Sequence, residues 1–455
     1  MTIKSGTSFL IVFLAASSIT AAAALQEKPL VFPELTPTRL LNDLQVYMAS
    51  TPYLGDRMTI GLVLRSGSTF DPAAPAPKGG LAYLTAQMLG KATVDLTAKD
   101  IQDELNYLND TLEVRCDWDG IRLLLHGPSA GFERSLLLLY RIACEAKFNE
   151  EDFAKVQKAL IQQLQAPEDM RQRVRGELDA ELFRGTTYGR PMRGTPAMVQ
   201  NITVGDVRWF FHRHFSPDQA ALVVVGSAPA QEVLQKARRI WGAWVRAEEV
   251  PFTFLPSREP AARNIFLEDD PGSPAAQYIL GNLWPDRDDP AYYSGILASR
   301  LLQDRLNRVL PTSRLTVAEE GRRLPGPFYI QGQAAADQAV GEIDKIISTV
   351  EAFKDSEVTP AEAATAQDLW IGEFAKSISS TDGVCNVLLD AELYRLGINF
   401  LSTFSDFVRR SSPAMIKAAA KRWLFPGGLV LIVRGPAATL QPQLESLGTV
   451  QLLKR

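Results

Sequence analysis

The chain has 455 residues, of which 46% are apolar and 22% are charged, and its formal net charge is −4. This composition is that of an ordinary globular protein and excludes a disordered one. The length suits two domains of about 200 residues each. The small negative charge gives no reason to expect nucleic acid or an anionic membrane as a partner.

The first 24 residues differ in composition from the rest of the chain. Lys4 gives a positive start, Phe9–Ala16 is an apolar run, and Ala22–Ala24 offers a small-residue cleavage site. This order is typical of a secretory signal peptide (1–24), and the run is too short to favour a permanent membrane span. We therefore expect a secreted protein, periplasmic if the source is a Gram-negative bacterium, with no membrane span.

Residues 25–250 are expected to form an N-terminal half in which strands and helices alternate. Apolar runs between turn signals predict strands near 44–49, 59–64, 112–118, 122–126 and 221–225. Helical periodicity and capping residues predict helices near 79–88, 97–108, 131–146, 150–165, 176–183 and 202–215.

Residues 251–262 hold three prolines with interspersed charges and are expected to link the two halves. Residues 263–455 form the expected C-terminal half. Near its end, the segment 414–435 runs helix, turn, strand and glycine, which is also the order of 204–226. The distance between these segments is about half the chain, and such a period predicts an internal duplication.

Cysteine and histidine are too sparse to organise this chain. Cys116, Cys144 and Cys385 are an odd number of cysteines without metal-type spacing. The strand pattern around Cys116 and the helix pattern around Cys144 predict buried thiols, and whether these two are bridged stays open. His212 and His214 fall on a predicted helix, where positions i and i+2 point to different faces, so a polar surface is their expected role.

The helix predicted at 79–88 resembles the signature helix of the pitrilysin/insulinase metallopeptidases, the inverzincins. That family carries H-x-x-E-H there, with two histidines that bind zinc and a glutamate that activates water. In this sequence the three places are Tyr83, Ala86 and Gln87. The family's third zinc ligand, a glutamate on a later helix, corresponds to Gln163.

Two further stretches carry the same resemblance. Residues 185–195 resemble the family's H-P-Y-G-x-P-x-x-G-T loop, and residues 202–226 resemble the helix and strand that close the first half. The family implies an α+β fold with two similar halves of about 200 residues. Each half would be a mostly antiparallel sheet backed by helices, and the halves would face each other across a cleft like a clamshell.

None of the four substituted residues suits zinc chemistry. A phenol at Tyr83 and neutral amides at Gln87 and Gln163 are poor ligands for this metal. Ala86 has no side-chain atom that can accept a proton, so a general base is missing. We therefore expect no catalytic residue and no metal ligand in this chain.

Active assemblies of the family also hold the peptide with an Arg and a Tyr seven residues apart. One alignment places Arg308 at the arginine position and Leu315 at the tyrosine position, and a second alignment places Pro311 and Ala318 there. Neither alignment gives the full pair. Arg308 is therefore the one substrate-binding candidate, and a solvated helix face is the competing interpretation.

The resemblance implies a non-catalytic subunit, because bacterial and mitochondrial members of the family pair a zinc-bearing chain with a zinc-less one. We expect a heterodimer with a paralogous chain that carries H-x-x-E-H, closed around an unstructured peptide substrate. This chain would bind no cofactor, and the zinc would lie in the partner. The alternative is an envelope binding or scaffolding protein derived from a peptidase, without a role in proteolysis.

Overall fold

The computed structural model describes residues 32–73, 77–248, 254–255, 257–425 and 427–453. The signal segment expected at 1–24 and part of the linker expected at 251–262 lie outside these ranges. Within them, no helix is long and apolar enough to cross a membrane.

The described part of the first half contains strands and α-helices in alternation. Its strands are β1 (Glu34–Arg39), β2 (Gln45–Ser50), β3 (Arg57–Leu64), β4 (Thr111–Cys116), β5 (Ile121–Pro128) and β6 (Ala220–Gly226). Its helices are α1 (Leu81–Met88), α2 (Ala98–Leu108), α3 (Phe132–Cys144), α4 (Glu150–Gln165), α5 (Met170–Leu182), α6 (Pro196–Gln200), α7 (Val204–His214) and α8 (Ala230–Trp241).

The first sheet has the strand order β1-β2-β6-β3-β5-β4. Its neighbours pair antiparallel except for β2 and β6, which are parallel. Strand β3 lies near the centre, and its residues from Met58 onward are all buried. Apolar side chains from α1, α2, α3, α7 and α8 pack on this sheet and form the core of the first half.

The second half repeats this arrangement. Its strands are β7 (Arg263–Asp269), β8 (Ala275–Trp284), β9 (Thr316–Glu319), β10 (Gly326–Ala335), β11 (Leu429–Gly435) and β12 (Val450–Leu452). Its helices are α9 (Tyr292–Val309), α10 (Ala339–Asp355), α11 (Pro360–Ser377), α12 (Thr381–Leu393), α13 (Phe400–Arg410), α14 (Pro413–Trp423) and α15 (Ala437–Leu444).

The second sheet has the order β12-β7-β11-β8-β10-β9. Strands β7 and β11 are parallel, as β2 and β6 are, and β8 takes the place of β3 between two antiparallel neighbours. The edge strand β12 differs from β1, because it pairs parallel with its neighbour β7. The predicted fold class is confirmed: the protein is α+β, with two similar halves that each contain a mostly antiparallel six-stranded sheet backed by helices.

The two halves exchange one helix each. Helix α5 belongs to the first half but packs on β8 and β11 of the second sheet, where Val174 and Leu178 enter the core. Helix α12 belongs to the second half and packs on β3 and β6 of the first sheet. Each sheet therefore has one face covered by the other half of the chain.

A glycine lies at the centre of each exchange. A Cβ atom on Gly61 of β3 would lie 2.5 Å from Cys385 Sγ of α12. A Cβ atom on Gly281 of β8 would lie 2.7 Å from Leu178 Cδ2 of α5. Both distances are well below van der Waals contact, so the exchanged helices reach their sheets only because these residues have no side chain.

Several elements differ from the sequence prediction, among them the helices α6 and α8, which were not predicted. Strand β1 is not among the predicted strands, and Pro37 is compatible with it because β1 lies at the edge of the sheet. Helix α5 begins at Met170, six residues before the predicted start, with Asp169 as its N-cap.

All three cysteines are free, so Cys116 and Cys144 are not bridged.

Because of this close approach, replacing either sheet glycine by valine should destabilise the protein. We expect Gly61→Val and Gly281→Val each to lower the free energy of unfolding by about 1–3 kcal/mol. Gly372→Ala in α11 is the matched control: a Cβ there has no atom within 4 Å, and the change should add up to about 1 kcal/mol. Chemical denaturation measures all three, and equal effects in the sheet and in α11 would contradict the packing argument.

Candidate functional site

Helix α1 carries three of the four positions that correspond to the zinc motif, and Asp71 fixes where it begins. The Asp71 carboxylate accepts hydrogen bonds from the backbone N–H groups of Gly80, at 2.7 Å, and of Ala82, at 2.8 Å. These are N–H groups at the start of the helix that have no partner within the helix itself. Asp71 is 4% exposed, and burial raises its pKa to about 7.

A loop at residues 189–195 presses against the same end of α1. A Cβ atom on Gly80, whose φ is 92°, would lie 2.5 Å from the carbonyl oxygen of Arg193. Gly194 likewise has no room for a Cβ atom beside the carbonyl of Gly79. The two backbones can meet only because both positions are glycine. The loop position of Arg193 is therefore set by the backbone.

The structure places Tyr83 and Gln163 on either side of Arg193. The guanidinium carbon of Arg193 lies 5.2 Å from the centre of the Tyr83 ring. Arg193 Nη2 donates a hydrogen bond of 2.7 Å to Gln163 Oε1 of α4. Gln87 follows Tyr83 by one helical turn and is half-buried, and Ala86 is fully buried.

This group does not fit a zinc ion. Gln163 already accepts from a guanidinium, and Ala86 lies in the core, where a longer side chain would have to displace its neighbours. A divalent ion about 5 Å from that guanidinium would be repelled by several kcal/mol at an effective dielectric constant of about 20. Throughout the described ranges, no group of three or more His, Cys, Asp or Glu side chains is arranged to hold a metal ion.

Arg308 lies away from this group, on α9 of the second half. It lines an open groove of about 520 Å³ between α9 and α10, together with Arg305, Lys345 and Phe353. Arg305 is held by an ion pair of 3.2 Å to Glu362 and lies over the Phe353 ring. Arg308 is exposed and, in the part of the chain described, forms no ion pair. The groove thus presents positive charge beside an aromatic floor.

Two histidines differ in role. His214 was expected on a polar surface, but it is 3% exposed and packs between Phe70 and Phe210 at ring distances of 5.0 and 4.5 Å. Burial lowers its pKa to about 4, so it is a neutral core residue. His126 Nδ1 lies 2.6 Å from Asp382 Oδ1 of α12 and so joins the two halves.

Sequence reasoning missed two features. Arg193 has no signal of its own in the sequence, and the only available hint is the glycine that follows it, since glycine permits a close backbone approach. The segment Gly127-Pro128-Ser129-Ala130-Gly131 matches the G-x-S-x-G pattern of serine hydrolases. Ser129 Oγ has a long contact of 3.4 Å with Ser227 Oγ, and His126, three residues earlier, contacts Asp382, so the described residues give this serine no activating base.

Known proteins match this fold and sequence. The family model described as insulinase (peptidase family M16) matches residues 47–196, and the one described as peptidase M16 inactive domain matches residues 201–369. An uncharacterized zinc protease of Rickettsia bellii is 20% identical over 220 residues, which are 48% of this chain and 52% of that protein. The chain thus spans about half the length of this relative.

Solved structures show the same fold. A peptidase M16 inactive domain from Pseudomonas fluorescens superposes with a TM-score of 0.79 at 19% identity, over 88% of this chain and 98% of that one. The periplasmic protease PqqL from Escherichia coli superposes with a TM-score of 0.74 at 14% identity, over 93% of this chain and 48% of that one.

Fold and site together define a protein of the metallopeptidase architecture whose motif positions lack the motif residues. The chain belongs to the M16 (pitrilysin/insulinase) peptidase family, with the fold of its inactive-domain members.

The buried cap of α1 gives a pH dependence that can be measured. The pKa of Asp71 is about 7 in the folded chain, against an ordinary value of 3.8. The folded state thus holds a proton that the unfolded state releases, and stability falls as pH rises from about 4 to 7. We expect the unfolding free energy of the wild type, relative to Asp71→Asn, to drop by about 1–3 kcal/mol between pH 5 and 8.

Asp100→Asn is the control for this comparison. Asp100 also caps a helix, α2, but it is exposed, and hydrogen bonds from Thr97 lower its pKa. Its titration therefore lies below pH 5, and its difference from the wild type should stay constant over the same range. A constant difference for Asp71→Asn as well would show that the buried carboxyl does not titrate as stated.

Proposed function

We propose that this protein is a non-catalytic subunit of a secreted zinc metalloendopeptidase, which helps to enclose and position peptide substrates for a zinc-bearing partner. The observation that carries this proposal is the set of residues found at the zinc-motif positions. The family scaffold is kept, while Tyr83, Ala86, Gln87 and Gln163 stand at the functional places and a guanidinium lies among them. The chain could then contribute positioning and water exclusion, without proton transfer.

The partner is proposed to be a paralogous chain that carries H-x-x-E-H. The match to Escherichia coli PqqL supports this, because nearly all of this chain covers only 48% of that protease. A second chain of similar size would be needed to build an equivalent enclosure. Residues 1–24 favour secretion, and the periplasm is the proposed compartment in a Gram-negative source.

Strand β4 offers a place for an extended peptide. It lies at the edge of the first sheet, pairs with β5 in the described structure, and contacts α1. A peptide that adds a strand to such an edge gains backbone hydrogen bonds whatever its sequence. The outer edge of β4 is therefore the part of this chain that we propose to hold substrate close to the partner's zinc.

Co-purification and reconstitution test the proposal. A tagged full-length chain expressed in its native cells should bring down a homologue with an intact H-x-x-E-H motif, identified by mass spectrometry. The purified pair should cleave an unstructured fluorogenic peptide about tenfold or more faster than the partner alone, because positioning makes a large contribution to such reactions. The isolated chain should show no cleavage.

Elution as a lone chain that adds nothing to peptidase activity would overturn this proposal and favour the envelope binding or scaffolding alternative. As a control, a partner whose motif glutamate is replaced by glutamine should still bind this chain but lose cleavage. This separates assembly from chemistry.

The α9–α10 groove gives a second test. If Arg308 contacts substrate, Arg308→Ala combined with Lys345→Ala should weaken cleavage of an acidic peptide by about three- to tenfold at low salt, and that of a neutral peptide far less. Lys376→Ala in α11 is an exposed control. An equal effect on both peptides, or none, would leave Arg308 as part of a solvated helix face.

A further inference from the structure

Arg193 contacts Tyr83 and Gln163, two positions that correspond to metal ligands, and is not itself one of the zinc-motif positions. We propose that Arg193 is a built-in cation that closes this site to divalent metal, so that restoring the ligand residues alone does not restore zinc binding. This inference deepens the proposed function, since it rests on the zinc being in the partner.

The placement of Arg193 does not depend on Tyr83 or Gln163. Its carbonyl oxygen lies against Gly80, and the following Gly194 lies against Gly79. Arg190 of the same loop donates a hydrogen bond of 2.6 Å to the carbonyl oxygen of Asp71. The loop is thus tied to the start of α1 by two backbone contacts and by the Arg190 side chain, and we expect Arg193 to stay close to this site when Tyr83 and Gln163 are changed.

The charge of Arg193 is also uncompensated. In the structure as described, Arg193 forms no ion pair, and its Nε atom is buried without a hydrogen-bond partner. Its contacts are a neutral amide and an aromatic ring. A second cation at this point would meet the guanidinium charge in a half-buried place beside the exposed Gln163, where water screens the repulsion only in part. A carboxylate at position 163 would pair with Arg193 first and be withheld from a metal.

Zinc binding by the isolated full-length chain tests the proposal. The restored chain carries Tyr83→His, Gln87→His and Gln163→Glu, which supply two imidazoles at i and i+4 and one carboxylate. Ala86 is left unchanged because it is buried. The same chain is then made with Arg193→Leu, which keeps the first part of the aliphatic stem but removes the charge. Zinc affinity is measured by competition with a chelator, and ligand geometry by the absorption spectrum of the cobalt(II) form.

We expect the restored chain with Arg193→Leu to bind one zinc ion about 100-fold more tightly than the restored chain that keeps Arg193. The restored chain with Arg193→Lys should bind zinc as weakly as the restored chain that keeps arginine, because the positive charge is kept. The cobalt spectrum should show four-coordinate bands only where the charge has been removed. Equal affinity with and without Arg193, or stoichiometric zinc in the restored chain that keeps it, would overturn the proposal.

A lighter variant guards against misfolding of the restored chain. Tyr83→His with Gln87→His makes a two-histidine site on one face of α1, and both parent residues are only half-buried. Arg193→Leu should tighten zinc binding to this pair by about tenfold, and no change would again count against the proposal. These measurements need no partner chain, so they can fail while co-purification succeeds, and the two ideas are judged separately.

Discussion

The exchange of α5 and α12 between the halves is the packing constraint on which the rest of the structure depends. Each sheet would expose an apolar face if the other half were absent, because the helix that covers it comes from the other half. Gly61 and Gly281 make the contact possible at equivalent strands. The two halves therefore stabilise each other, and the position of α1, which packs on the first sheet, is fixed by the fold of the whole chain.

Packing also explains why the scaffold of a metal site can persist without the metal. Leu81, Leu84 and Met88 of α1 are fully buried, and Asp71 holds the first turn through backbone N–H groups. Replacing any of these would create a cavity or leave buried polar groups unpaired, which costs stability directly. Tyr83 and Gln87 are only half-buried, so the fold places few demands on them. Stability thus constrains the core residues of the motif helix, Ala86 among them, but places little constraint on Tyr83 and Gln87.

Much of the fold could be predicted because it follows from local patterns. The helix α4 ends at Gln165, as predicted. Thr97 caps α2 through a capping box with Asp100, which confirms the predicted N-cap. The exchange of α5 could not be predicted, because periodicity shows that a helix has an apolar face but not which sheet covers it. His214 was misjudged for a similar reason: burial among Phe70 and Phe210 is a property of the tertiary packing.

The candidate site likewise contains residues that the sequence identifies and one that it does not. A resemblance in sequence identifies Tyr83, Ala86, Gln87 and Gln163, because these are positions in a recurring pattern. It cannot identify Arg193, which reaches the site through a loop 30 residues beyond Gln163 and is placed by backbone contact. A metal site is lost when its ligands change, but a ligand can return by a single substitution. A cation held among the ligand positions by the main chain opposes every such return at once, since it repels the ion whichever ligand comes back. Zinc binding here would then require removal of the Arg193 charge in addition to the return of the ligand residues.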